Sequence, residues 1–346
     1  MDYILNGSAV GDVADKLLLN DFDPGVLRPF IGNDGRSYVT RAGKAVLLTN
    51  ATATLRKDDW KTLDTAVVKA AQQRLKFVAD LRGAGLQYSI PNGMGKTVLE
   101  TETQSDINDA TISMDGLRRS QADRPLFELT NLPLPIIHKD YHFSARQIAA
   151  SRNGGSPLDT TMAEAAGRKV AEYAEQLALG TLSTYVYGGG TIYGAANYTG
   201  RMTKTLTTPV AAGATMGAQA LADVLAMRAQ SVAAYHYGPW MLYTSPNWDI
   251  YLDDDFKAAS DRSVRERIKM VEGITDIRTL DYLSNFDMLL VQMTSDVIRM
   301  VVGMELTTVQ WESDGGLLKN FKVMAIMVPQ LRQDQNSRTG IVHGSV

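Results

Sequence analysis

The stretch Pro133–Gly180, PLPIIHKDYHFSARQIAASRNGGSPLDTTMAEAAGRKVAEYAEQLALG, constrains the fold more than any other part of the chain. It reads as an extended segment, a short helix, a Gly-Gly turn and one long amphipathic helix. Ser156 is placed to N-cap that helix, and Pro157 suits its first turn. Met162, Ala166, Val170, Tyr173 and Leu177 recur at helical spacing and define one apolar face. Glu164, Arg168, Glu172 and Glu175 fall largely off that face, and Gly180 offers a C-terminal stop. A helix over about 157–179 is about 30 Å long at 1.5 Å per residue. Such a helix serves as a spine for a sheet to pack on, so Val170, Tyr173 and Leu177 are expected to be buried.

The other elements arrange themselves around it. Asp58–Leu81, DDWKTLDTAVVKAAQQRLKFVADL, predicts a helix over 58–82, capped by Asp58 or Asp59 and ended by Gly83 and Gly85. Its apolar stripe is Trp60, Leu63, Val67, Ala70, Ala71, Leu75 and Val78. Residues 86–132 lose the helical period. LETET and ATISM read as two polar strands around a turn at Ser105–Asp109, with Glu100, Glu102, Asp106, Asp109 and Asp115 outside and Arg118, Arg119 and Arg124 following. An isolated ribbon is marginal in water, and this one has few apolar residues, so a neighbouring subunit is its expected support. Met216–Tyr235 predicts a second long helix, and Trp240–Thr244 a short strand. Ser245-Pro246 opens a helix through Phe256, and 260–270 reads as a charged helix. Thr275–Tyr282, Met288–Met293 and Ile298–Val302 are strand-like. Leu306–Trp311 and Leu318–Pro329 are expected to pair around a turn at Ser313–Gly316. The first 55 residues, rich in turns, read as an extended arm, and RQDQNSRTGIVHGSV as a polar tail.

Motifs for chemistry are sparse. The chain of 346 residues has no cysteine, which removes disulfides, thiolate catalysis and thiolate metal sites. Gly95-Lys96-Thr97 invites a phosphate-loop reading, but position 90 is Ile where the motif needs Gly, and a β-prone segment follows where it needs a helix. His138 and His142 lie in a segment that reads as a strand, where such a pair sits about 13 Å apart, too far to share an ion. Asp253-Asp254-Asp255 lacks the alternation of a calcium loop and reads as a charged helix end. His236 and His343 have no evident partners, and no hydrolase or metalloprotease signature is present. No motif points to an enzyme activity or a cofactor; acid/base work by carboxylates stays open, because one sequence gives no way to rank them. The net charge of −3 gives no strong attraction to nucleic acid. No basic start with an apolar run suggests a signal peptide, and no window of about 18 apolar residues suggests a membrane span.

The order of a Pro-Leu-rich strand, HFSARQI entering a short helix and PLD opening a long Ala/Glu helix resembles the spine region of the shell proteins shared by tailed-phage major capsid proteins and bacterial encapsulins. Asp58–Leu81 and Val301–Pro329 resemble further blocks of that family, in the same order. The resemblance implies an α+β fold of the Hong Kong ninety-seven type. Its parts are an N-terminal arm (1–55), a peripheral domain (56–87, 133–212 and 303–332), an extended loop (88–132), an axial domain (213–302) and a C-terminal tail (333–346). It implies a virion capsid subunit assembled in the bacterial host cytoplasm, forming hexamers and pentamers of an icosahedral shell in loose contact with packaged double-stranded DNA. Scaffolding, portal and decoration proteins are implied partners, and no membrane is. The first 55 residues show no long charged helix of the built-in scaffold kind, so the expectation is either a separate scaffolding protein or a chain that begins after cleavage, the latter disfavoured by the initial Met. Lys96, Glu100, Glu102, Asp109, Arg118 and Arg119 are the expected intersubunit contacts. Some members crosslink subunits through Lys and Asn; Lys96 and Asn336 are of the right type, without a local motif. An encapsulin-like nanocompartment is the alternative within the family, disfavoured by the turn-rich first 55 residues. A soluble α/β enzyme is the alternative outside it, which a megadalton particle in solution excludes.

Overall fold

The computed structural model describes residues 28–41, 44–48, 55–104, 112, 114, 124, 127–153, 160–207, 216–256, 262–334 and 337–346. The expected cap Ser156-Pro157 and most of ATISM lie outside them. In chain order, β1 (Phe30–Ile31), β2 (Ser37–Arg41), β3 (Lys44–Leu47) and β4 (Leu55–Arg56) lead into α1 (Lys57–Gln72) and α2 (Lys76–Gly83). Then come β5 (Gln87–Ser89), β6 (Val98–Gln104), β7 (Phe127–Pro133), β8 (Ile137–Ser144), α3 (Ala145–Asn153) and the spine helix α4 (Thr161–Leu179). They are followed by β9 (Tyr185–Tyr187), β10 (Gly190–Ile192), β11 (Met202–Thr205), α5 (Met216–Ala233), β12 (Trp240–Thr244), α6 (Asp249–Leu252) and α7 (Val264–Lys269). The chain ends with β13 (Ile274–Thr279), β14 (Met288–Gln292), β15 (Ile298–Ser313), β16 (Leu318–Leu331) and β17 (Ile341–Ser345).

Two compact units result. The first comprises residues 1–97, 134–178 and 300–329. Its main sheet has the order β5-β15-β16-β8, with β16 and β8 antiparallel from Leu318↔Ser144 to Ala325↔Ile137. Phe321 anchors the core, stacked on Tyr141 at 5.2 Å and edge-on to Trp60 of α1 and Phe143 of β8. A smaller sheet, β3-β2-β1-β4, precedes α1. It is tied down by Arg28, whose guanidinium lies 4.6 Å over the Trp60 ring and pairs with Asp64.

The spine helix keeps its place but turns its face. Ala163, Ala166, Val170, Ala171, Ala174, Leu177 and Ala178 are buried, whereas Met162 and Tyr173, expected on that face, are about half exposed. Each precedes an alanine at the centre of the stripe, and one residue of helix is a rotation of about 100°. The buried stripe is made of small residues because α1 comes close: a Cβ on Gly167 would lie 2.9 Å from the Val67 carbonyl oxygen. Glu175, expected off the face, is 1% exposed.

The helix expected over 58–82 is broken at Gln73–Leu75, with no Gly or Pro there to break it. The cause is tertiary. Phe77 and Val78 donate their N–H groups to Glu175 Oε1 and Oε2 at 2.5 and 3.2 Å, so the carboxylate starts α2 as a cap reaching over from α4. At the other end the N-cap is Arg56 rather than Asp58 or Asp59, and Asp59, already in the first turn, reaches back to accept from the Arg56 N–H at 3.0 Å.

The second unit comprises residues 98–133, 179–299 and 330–346. Its five-stranded mixed sheet has the order β11-β17-β14-β12-β13. β12 and β14 are buried at every position, as expected of continuous apolar runs at the centre of a sheet. Trp240, Leu242, Val224, Met227, Trp248 and Ile268 join α5, α7 and the sheet in one core. Gly273 leaves room for the Trp240 ring, which a Cβ would meet at 2.5 Å. Two sequence expectations change here. Ile298–Val302 and Leu306–Trp311 belong to the single strand β15. The chain end, read as a polar tail, supplies β17, which pairs with β11 and β14 and buries Ile341 and Val342 completely. Five residues flanked by polar ones carry too short a pattern to announce a central strand.

Candidate assembly surface

The strand Val98–Gln104 pairs antiparallel with Phe127–Pro133, from Val98↔Pro133 to Gln104↔Phe127, while the strand expected at ATISM falls mostly outside the described residues. Residues directly opposite share a face of such a ribbon. One face therefore carries Leu99, Leu132, Thr101 and Thr130; the other carries Glu100, Asn131, Glu102, Leu129 and Phe127. Thr101 and Thr130 join the strands through a 2.8 Å hydroxyl contact, and Gln330 Nε2 donates to Thr101 Oγ1 at 3.4 Å.

The ribbon is anchored at its base and bare beyond it. Leu99, Leu132 and Pro133 are buried. Asn131 Nδ2 donates to the Gly188 carbonyl at 3.0 Å, and Gly190 lies so near that a Cβ there would sit 2.1 Å from the Asn131 oxygen. Further out, Phe127 is 62% and Leu129 55% exposed, beside exposed Glu100 and Glu102. Two apolar side chains and two carboxylates thus share one uncovered face. Sequence reasoning singled out the acids but not Phe127 and Leu129, although the alternation in FELTNL was a signal for them.

Lys96 is exposed and follows the turn Gly93–Gly95. In that turn the Gly95 N–H donates to Asn92 Oδ1 at 3.0 Å, and the chain then enters a strand. Neither feature matches a phosphate-binding loop, whose N–H groups stay open and lead into a helix. Asp109, Arg118, Arg119 and Asn336 lie outside the described residues. His138 and His142 sit exposed on strand β8, as the sequence indicates. Asp249 and Asp253 are bridged by Arg265 at 3.0 and 2.9 Å, consistent with a charged helix end. His343 does have partners: Arg201 Nε donates to its Nδ1 at 3.4 Å, and Asp287 Oδ2 lies 3.5 Å from its Nε2. Burial nevertheless pushes its pKa down, so the imidazole is neutral at pH 7. No helix among the described residues is long and apolar enough to cross a membrane.

Many solved structures resemble the chain, among them these three. A virus-like particle from Pyrococcus furiosus aligns at TM-score 0.59 and 16% identity, covering 83% of this chain and 99% of its own. The capsid of Myoviridae phage XM1 aligns at 0.58 and 13%, covering 76% and 90%. A structure of Mycobacterium phage Adephagia aligns at 0.55 and 10%, covering 77% and 90%. At such identities the likeness establishes the fold, an α+β fold of the Hong Kong ninety-seven type. A comparison with curated proteins finds no match. Residues 50–344 match the model of DUF6260, a family of unknown function, and the chain belongs to that family.

Proposed function

We propose that this protein is the structural subunit of an icosahedral phage capsid, assembling into hexamers and pentamers around double-stranded DNA. In this reading the unit holding α4 is the peripheral domain, 213–302 form the axial domain, and the β6–β7 ribbon is the core of the extended loop at 88–132. The one observation that carries the proposal is the outer face of that ribbon, where Phe127 and Leu129 stand exposed beside Glu100 and Glu102. A ribbon anchored only at its base needs a second surface, and a neighbouring copy supplies one at every position of a closed shell. Glu100 and Glu102 then face basic groups of that copy, with Lys96, Asp109, Arg118 and Arg119 as further contacts. Exposed pairs of this kind contribute about 0–1 kcal/mol each. Repeated around a shell, together with burial of the two apolar side chains, they decide closure. The role is geometric, with no catalytic step and no cofactor.

The experiment replaces Glu100–Asn131 with a short Gly-Ser linker. The variant is expected to keep near-native helix content by circular dichroism and to form no closed particles by electron microscopy. Closed shells from it would remove the ribbon from the assembly contact, and global unfolding would place it in its own subunit's core. Nuclease-protected DNA in wild-type particles supports the phage reading; packaged protein and no DNA indicates a nanocompartment.

A further inference from the structure

α1 and α2 are both held against the spine helix, by different physics. At Gly167 the hold is steric, backbone against backbone. At Glu175 it is electrostatic. The first N–H groups of a helix have no intrahelical acceptor, and here those of Phe77 and Val78 are met by the two oxygens of one carboxylate that is 1% exposed. The charged groups around it are few. Asp80, itself buried, is a like charge on α2, and Lys76 contributes a backbone N–H. Arg74, in the link between α1 and α2, lies 3.7 Å from Glu172, one turn back on α4, which also takes Lys169. Burial first, and then Asp80, push the Glu175 carboxyl up to about 7, against the downward pull of its backbone hydrogen bonds.

We propose that Glu175 is a proton-operated pin between the spine helix and α2. Ionised, it accepts from both N–H groups and ties the start of α2 to α4. When it takes up a proton from solvent, one oxygen becomes an O–H donor. That oxygen loses its negative charge and, as a hydroxyl, accepts from the facing N–H only weakly, so one of the two charge-assisted ties is weakened. α1, held at Gly167 by shape alone, does not respond. Proton uptake near neutrality therefore loosens one helix on the spine and leaves its neighbour fixed. The inference rests on the unit's own geometry and is independent of the shell reading.

The test is amide hydrogen exchange on the full-length protein, expressed as protection factors so that the intrinsic pH dependence cancels. Between about pH 8 and about pH 5.5, protection of Phe77 and Val78 should fall about tenfold, the weakening of one charge-assisted hydrogen bond. Val67 and Val170 should keep theirs. Glu175→Gln should show the low protection at both pH values. Asp80→Asn, which removes the like charge, should move the wild-type midpoint to lower pH. Unchanged protection of Phe77 and Val78 across that range overturns the proposal, as does an equal response in Glu175→Gln. Should the Gln variant fail to fold, an unmoved midpoint in Asp80→Asn overturns it.

Discussion

Replacing glycine with alanine should have opposite signs at two places in the same unit, and the structure supplies the reason for each. Gly167 lies inside α4, where a Cβ would meet the Val67 side chain and carbonyl oxygen at 2.9 Å and the Val67 Cα at 3.1 Å. Ordinary contact begins near 3.4 Å, so α1 must retreat by about half an ångström along its backbone, and a helix cannot do that at one residue alone. Overpacking of this kind costs about 1–3 kcal/mol, with a backbone clash in the upper half. The gain from removing a helical glycine is about 1 kcal/mol. Gly167→Ala is therefore expected to destabilise by about 1–2 kcal/mol. Gly83, in the last turn of α2, has nothing within 4 Å of a built Cβ and no left-handed backbone. Gly83→Ala should keep only the favourable side, about 0.5–1 kcal/mol. For a unit of this size, about 2–4 °C per kcal/mol is expected. The melting temperature should fall by about 2–8 °C for the first variant and rise by about 1–4 °C for the second. Differential scanning calorimetry of unassembled protein checks both. A Gly167→Ala variant as stable as wild type would refute the close approach of α1 to the spine.

Leu177→Ala, at a position 5% exposed, should cost about 2–5 kcal/mol in urea denaturation, whereas Tyr173→Ala should stay within about 0.5 kcal/mol. Phe127→Glu combined with Leu129→Glu should leave the melting temperature unchanged and abolish particles in light scattering; intact particles would exclude that face from assembly. Arg28→Ala, which removes both the Trp60 ring contact and the Asp64 pair, should cost about 1–2 kcal/mol by the same denaturation assay, and no change would mean the pairing is not maintained in solution. The raised pKa of Glu175 means that, between about 4.5 and about 7, the folded chain keeps a proton that the unfolded chain has lost. Stability should therefore fall as pH rises through that window, by on the order of 3 kcal/mol in total, and Glu175→Gln should remove the slope. The ionised state is thus the costlier one overall and the stiffer one at α2, so global stability and local amide protection should move in opposite directions with pH.

Elements whose pattern repeats locally were legible in the sequence. The α5 helix, the β12 strand, the short α3 helix and the turn after Ser313 stand within a few residues of where period and turn chemistry put them. Their apolar spacing is long or continuous enough to outvote neighbours. The capsid-type fold was legible too, through the order of three blocks rather than through any one of them. Composition alone removed thiol chemistry. The exact face of α4, the break after Gln72, the partner of the β6 strand and the strand at the chain end were decided only by tertiary structure. In each case the deciding partner is far along the chain. Gly167 meets Val67, Glu175 caps Phe77 and Val78, Phe127–Pro133 pairs with Val98–Gln104, and Ile341–Ser345 fills a slot between β11 and β14. A single sequence shows which residues favour burial. It does not show which distant backbone will come close enough to require a glycine, or which buried N–H groups will need a carboxylate, because those demands exist only once the two segments are packed together.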